Sequence, residues 1–170
     1  MAILYLGARR FRMCVLAGAE RVFKNRDHLN KINVFPVPDG DTGSNMTMTL
    51  RAVVREIDAL QDVSLETIVK ATAWGALVGA RGNSGIILAQ ILSGVAEVIE
   101  GKERLSAEDV AYCFSRAVNK AYKAILHPSE GTILTVVRET SEAATEAVKS
   151  SSDFFFLLDE MVNAAQLSVE

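Results

Sequence analysis

Ser106-Ala-Glu-Asp-Val-Ala-Tyr-Cys-Phe-Ser-Arg-Ala-Val-Asn-Lys-Ala-Tyr-Lys-Ala-Ile125 reads as one amphipathic helix. Val110, Phe114, Ala117, Val118, Ala121 and Ile125 recur at three- and four-residue steps, the repeat of a single helix face. Ser106 followed by Asp109 matches the Ser-x-x-Asp signal that starts a helix. The same periodicity runs through most of the chain. Residues 8–29 are rich in Ala, Arg and Leu and form a helical stretch ending near Asn30. Residues 44–60 carry Met46, Met48, Leu50, Val53, Val54 and Ile57 at helical spacing. Leu65, Ile68, Val69, Thr72, Ala73, Ala76 and Leu77 repeat it again.

The punctuation between these runs is equally readable. Asp62-Val-Ser64 is a loop; Ser64 with Thr67 is half a capping box, and Glu66 suits the helix dipole. Gly79-Ala-Arg-Gly-Asn-Ser-Gly85 interrupts the pattern. Ile86–Glu100 resumes it, with Gly101 as the stop. Pro128 disfavours helix at His127, so His127–Gly131 is a turn. Thr132–Ser150 and Asp153–Val169 are the last two helical stretches. Phe154, Phe155, Phe156, Leu157, Leu158, Met161 and Val162 cover most faces of the final one, which predicts burial. Strand-like alternation is scarce. The pattern predicts an all-α chain of about seven helices, without repeat, low-complexity tract or linker.

Length and composition agree. A chain of 170 residues is the size of one domain, and 49% of its residues are hydrophobic. At that length roughly 70% of the unfolded surface can be buried without staples. The net charge of −3 carries no long run of one sign, which disfavours a nucleic-acid partner. Cys14 and Cys113 form no Cys-x-x-Cys pair, so a reducing, cytoplasmic setting is expected. The first ten residues do not read as a signal peptide, and no apolar run is long enough for a membrane span.

Chemistry concentrates in Asn33-Val-Phe-Pro-Val-Pro-Asp-Gly-Asp-Thr-Gly-Ser-Asn45. Asp39 and Asp41 flank Gly40, and Pro36 and Pro38 stiffen the approach by fixing φ and extending Phe35 and Val37. Two rigidly paired carboxylates repel unless a cation lies between them. Hard oxygen ligands suit Mg²⁺, which is commonly shared with substrate phosphates. Asp-Gly-Asp is also an ordinary turn former. Asn33 is either a loop residue or a third oxygen ligand. Thr42-Gly43-Ser44-Asn45 sits where the next helix begins. Ser44 or Asn45 can cap it, and the same helix end can receive phosphate.

Gly79–Gly85 is the second candidate. Its glycines permit positive φ and close approach of backbone to a ligand. It is neither a Walker loop, which needs Gly-Lys-Ser/Thr, nor a Rossmann fingerprint, which needs a preceding strand. Arg81 either meets a phosphate or sits in solvent. Thr132 can cap the helix after Gly131. Trp74 belongs to the core or lines a pocket. His28 and His127 lack metal-ligand spacing, and no nucleophilic triad is legible.

Three segments together carry a family resemblance: Asn33 to Met46, Gly79 to Gly85, and Glu130-Gly-Thr-Ile-Leu-Thr-Val136. They resemble the nucleotide-binding, DhaL-type domain of dihydroxyacetone kinases, the Dak phosphatase domain, and within it the N-terminal domain of bacterial fatty acid kinases. The resemblance covers nearly the whole chain, in order. It implies one DhaL-like domain over residues 1–170, a barrel or bundle of about seven to eight antiparallel amphipathic helices. It implies ATP held through two Mg²⁺ ions, with Asp39, Asp41 and Asn33 at the metals. Asn33 stands where the family has its first aspartate, one residue further upstream. Phosphate contacts carry over to Thr42, Gly43, Ser44 and Asn45, the nucleotide loop to Gly82, Asn83 and Ser84, and the adenine-side helix start to Thr132. The implied activity is that of an ATP-dependent kinase. It would move the γ-phosphate to a fatty acid carboxylate held by a partner protein, or to dihydroxyacetone as a glycerone kinase does. The alternative is a non-catalytic nucleotide-binding regulatory module. A partner that binds fatty acid or dihydroxyacetone is implied, and a homodimer is compatible with the reading. Such domains continue past the point where this chain stops, so the resemblance reads it as C-terminally truncated.

Overall fold

The computed structural model describes residues 2–35, 37–61 and 63–169. Eight helices dominate these residues: α1 Ala8–Lys24, α2 Arg26–Lys31, α3 Thr42–Asp58, α4 Leu65–Gly79, α5 Gly82–Ala96, α6 Ala107–Lys123, α7 Ile133–Ser150 and α8 Phe154–Leu167. The all-α expectation holds. A two-stranded antiparallel ribbon is added, β1 Leu6–Gly7 with β2 Arg104–Leu105, paired Leu6 to Leu105 and Gly7 to Arg104.

Several starts follow from local chemistry. The Asp109 N–H donates to Ser106 Oγ (3.2 Å) and the Ser106 N–H to Asp109 Oδ2 (3.0 Å), a complete capping box for α6. Burial alone would raise the Asp109 carboxyl, but the Ser106 N–H and the Lys102 ammonium (2.9 Å) outweigh it and hold it below its ordinary value. Ser64 Oγ accepts from the Thr67 N–H at 3.1 Å to start α4, and Thr132 Oγ1 accepts from the Leu134 N–H at 3.2 Å to start α7. Asp153 caps α8 through the Phe155 N–H (3.1 Å).

Short connections make consecutive helices antiparallel. Gly75 of α4 lies on the Val53 backbone of α3, and Gly79, one turn later, on Ala52 and Thr49. On the other side, Gly94 of α5 meets Ala117 of α6, while Ile87, two turns earlier in α5, clusters with Ala121. α3 packs on α4 and α5, and the order continues α5 on α6, α6 on α7, α7 on α8. The starts of α3, α5 and α7 therefore share one end of the bundle. The core of Val53, Ile57, Leu65, Ile68, Ile99, Leu105 and Leu157, among others, is fully buried behind it.

Four expectations need correction. Residues 8–29 are not one helix. Asn25 leaves helical geometry (φ −106°, ψ 11°), and its side-chain Nδ2 donates to the Arg21 carbonyl at 2.8 Å. A side chain that competes for backbone acceptors ends α1 there. α5 starts at Gly82 rather than Ile86 and ends at Ala96, so part of the glycine-rich break is helix. α8 is not buried on most faces: Phe154, Leu157 and Met161 point inward, while Phe155 is 65% and Val162 53% exposed. Trp74 is 58% exposed and outside the core. The Asp62 part of the Asp62–Ser64 loop and the Pro36 part of the stiff approach lie outside the described residues.

Candidate functional site

Gly40 takes φ +65°, which lets the chain reverse between Asp39 and Asp41. Both carboxylates are exposed, and neither has a hydrogen-bond or ion-pair partner among the described residues. Asp41 precedes α3 but makes no side-chain cap. Asn33 caps it from a distance. Its Oδ1 accepts from the Asp41 N–H (3.2 Å), the Thr42 N–H (3.1 Å) and Thr42 Oγ1 (2.8 Å). Its Nδ2 donates to the Val37 carbonyl at 2.9 Å. One amide thus closes the loop that carries both aspartates.

Neither Ser44 nor Asn45 caps α3, because both lie inside its first turn. Asn30, which carries no motif signal in the sequence, holds Ser44 twice. The Ser44 N–H donates to Asn30 Oδ1 (3.0 Å), and Asn30 Nδ2 donates to Ser44 Oγ (2.9 Å). With Thr42 and Ser44 engaged, the Gly43 N–H is left without a partner among the described residues. Gly43 itself is where α2 crosses α3: a Cβ there would fall 2.1 Å from the Arg26 carbonyl oxygen.

The second segment meets the first. Gly82 (φ +56°) lies against Asn45, and a Cβ there would sit 2.2 Å from Asn45 Nδ2. Gly85 packs on Thr49, whose Oγ1 donates back to the Asn45 carbonyl at 2.8 Å. α5 has no side-chain cap. Its first intrahelical partner is the Gly85 N–H to the Arg81 carbonyl at 3.0 Å. The N–H groups of Gly82, Asn83 and Ser84 thus have no partner among the described residues, the arrangement that favours an anion.

Thr132 joins this end through α5. Leu134, two residues on, clusters with Ile87 and Ala121. The turn before α7 is held in part by Tyr122 and Arg138, which were not singled out from sequence. Tyr122 and Thr135 hydroxyls each donate to Glu130 at 2.7 Å, and Arg138 pairs with it at 3.3 Å. The Tyr122 and Thr135 hydroxyls, then Arg138, hold the Glu130 carboxyl below its ordinary value. Helical spacing of Tyr122, Thr135 and Arg138 gives no sign that they meet, since the turn brings them together.

The arrangement offers two unpartnered carboxylates, an organised turn and a set of open N–H groups at one bundle end. Among the described residues no three His, Cys, Asp or Glu side chains converge as a metal cluster. The metal set read from sequence is smaller in charge, two carboxylates and an amide. His28 and His127 are both exposed.

The DAK2 domain model matches residues 36–170 of this helical bundle. The chain belongs to the DAK2 domain family. It is 37% identical over 169 residues to protein YloV of Bacillus subtilis, covering 99% of this chain and 31% of that protein. An uncharacterized protein of Staphylococcus epidermidis is 36% identical over 165 residues, 97% of this chain and 30% of its own length. One of Staphylococcus aureus is 35% identical over the same span and shares. The chain therefore spans just under a third of the length of these curated relatives.

Proposed function

We propose that the chain is a nucleotide-binding module that takes ATP with Mg²⁺ at the common start of α3, α5 and α7. The observation that carries this reading is the contact of Asn45 with Gly82, which sets the carboxylate loop beside the open N–H groups of α5. Asp39 and Asp41 would hold the metal, and two ions are the family's number. Asn33 would serve mainly by fixing the loop, since Oδ1 already accepts three hydrogen bonds; ligation through it would require giving some of them up. Gly82, Asn83 and Ser84 would receive phosphate oxygens through backbone N–H groups, with Gly43 adding one more. Thr42, Ser44 and Asn45 keep that cradle in shape, and Thr132 stands at the adenine side. Bound Mg²⁺ would neutralise negative charge on the phosphates.

A second reading, phosphoryl transfer, is favoured by the exposure of both aspartates, which leaves the site open to an acceptor on another protein. A fatty acid carboxylate is already a nucleophile and needs no base. Dihydroxyacetone would bring its base or anchor on the partner. Positioning and charge then supply most of the rate.

Calorimetric titration of ATP with and without Mg²⁺, on the chain and on Asp39→Ala, tests the first reading. Magnesium-dependent binding that disappears in Asp39→Ala, with helix content unchanged by circular dichroism, is expected. Intact affinity in the variant would sink the metal assignment, and no binding by the folded chain would sink the nucleotide reading for these residues. Transfer of the γ-phosphate to a fatty acid presented on its carrier protein separates the second reading from the first.

A further inference from the structure

A separate cavity of about 260 Å³ lies on the outer face of α3 and α4. Its floor is Ala52 and Gly79, and Met48 and Val78 form apolar walls. Three arginines line it: Arg51 and Arg55 of α3 and Arg81, the residue before α5. No acidic side chain does, and none of the three makes an ion pair among the described residues. Arg51 and Arg55 are four residues apart on one helix, a placement that costs stability for like charges. Arg55 gains a little from lying in the last turn of α3. Arg51 has its guanidinium over the Phe23 ring, 5.9 Å from the centroid, which uses its face and leaves the in-plane N–H groups free. Arg81 spends one donor on the Ala80 carbonyl at 2.8 Å.

The geometry points to a binding site for a phosphate-bearing anion at this cavity. A single guanidinium fork satisfies both oxygens of a carboxylate. Three arginine side chains lining one small cavity, two from α3 and one from the turn before α5, suit an anion with more oxygens and at least two charges. The chain as a whole is acidic, so this concentration of positive charge is local. The apolar walls suit the organic part of a phosphorylated small molecule. The site does not depend on the nucleotide reading, although Arg81 adjoins the Gly82 loop.

Titration of sodium pyrophosphate in the presence of EDTA, followed by calorimetry, tests it. One saturable site is expected, weakened roughly tenfold or more in Arg51→Gln and in Arg55→Gln, as losing a charged hydrogen bond does. All three arginines are exposed, so these variants should keep their helix content. Two results would overturn the proposal: no saturable binding, or equal affinity in the arginine variants, as binding at the open N–H groups of α5 would give. Equal or tighter binding of citrate or of a glutamate-rich peptide would do so too, because charge and not phosphate would then be recognised.

Discussion

The side-chain amide of Asn45 occupies the space where any residue but glycine at position 82 would place its Cβ, 2.2 Å from Nδ2. Because Gly82 also has φ +56°, Gly82→Ala meets both backbone strain and a clash. A cost of about 1–3 kcal/mol is expected in urea unfolding. Asn45→Ala in the same chain should recover the clash part only. Full recovery would show that the left-handed backbone costs nothing here.

Asn33 should tolerate an acid better than a truncation. Asn33→Ala removes the acceptor for three donors and should cost about 1–2 kcal/mol, the range of a lost helix cap. Asn33→Asp keeps the acceptor but loses the bond to Val37 and adds a third charge beside Asp39 and Asp41, so its urea midpoint should fall between those of the parent and of Asn33→Ala.

Two glycines should respond in opposite directions. Gly43→Ala drives a Cβ to 2.1 Å from the Arg26 carbonyl, which backbone cannot evade, and should destabilise by about 3 kcal/mol or more. Gly18, inside α1, faces open space, with nothing within 4 Å of where a Cβ would lie. Gly18→Ala should stabilise by about 0.5–1 kcal/mol through helix propensity. Thermal melts of the two variants check the contrast.

The two cysteines should differ sharply. Cys14 is exposed and should react with a thiol reagent at once, while Cys113 is buried and should react only on unfolding. Burial, and then the Asp109 charge, push the Cys113 thiol up from 9.0 to about 12. Below pH 9 neither state ionises it. Between pH 9 and about 12 the unfolded chain releases its proton and the folded one does not, so stability should fall across that window. Cys113→Ala should flatten that part of the stability curve.

Ser93 Oγ is buried in α5 without a hydrogen-bond partner among the described residues. Ser93→Ala removes an unsatisfied hydroxyl and should be neutral or stabilising by up to about 1 kcal/mol. Marked destabilisation on chemical unfolding would mean that an ordered water bonds to it.

Much of the fold is written in local signals. The face of Val110, Ala117 and Ala121, the Ser106–Asp109 box and the Thr132 cap all stand where the sequence places them. What sequence does not reveal depends on contacts distant along the chain. α5 begins inside a glycine run because Gly82 and Gly85 pack on Asn45 and Thr49, and only that packing offsets glycine's helix cost. The break at Asn25 rests on one side-chain bond, and no proline or glycine marks it. At the site, the acidic loop was legible from its spacing. The roles of Asn30 and Asn33 were not, because they cap backbone eight to fourteen residues away.

The Ile3 N–H donates to Asp153 Oδ1 at 3.1 Å, and the Phe154 N–H donates to the Ile3 carbonyl at 2.9 Å. Leu6 is likewise paired with Leu105. During synthesis the segment from Ile3 to Gly7 leaves the ribosome well before its partners exist. α3 to α6 can assemble from near neighbours as they emerge, but Ile3 must wait until α8 has been made. Its docking is therefore a late event, and a nascent chain released short of Asp153 would leave the Ile3 backbone open to whatever chaperone or neighbour reaches it first, even with Leu6 already paired to Leu105.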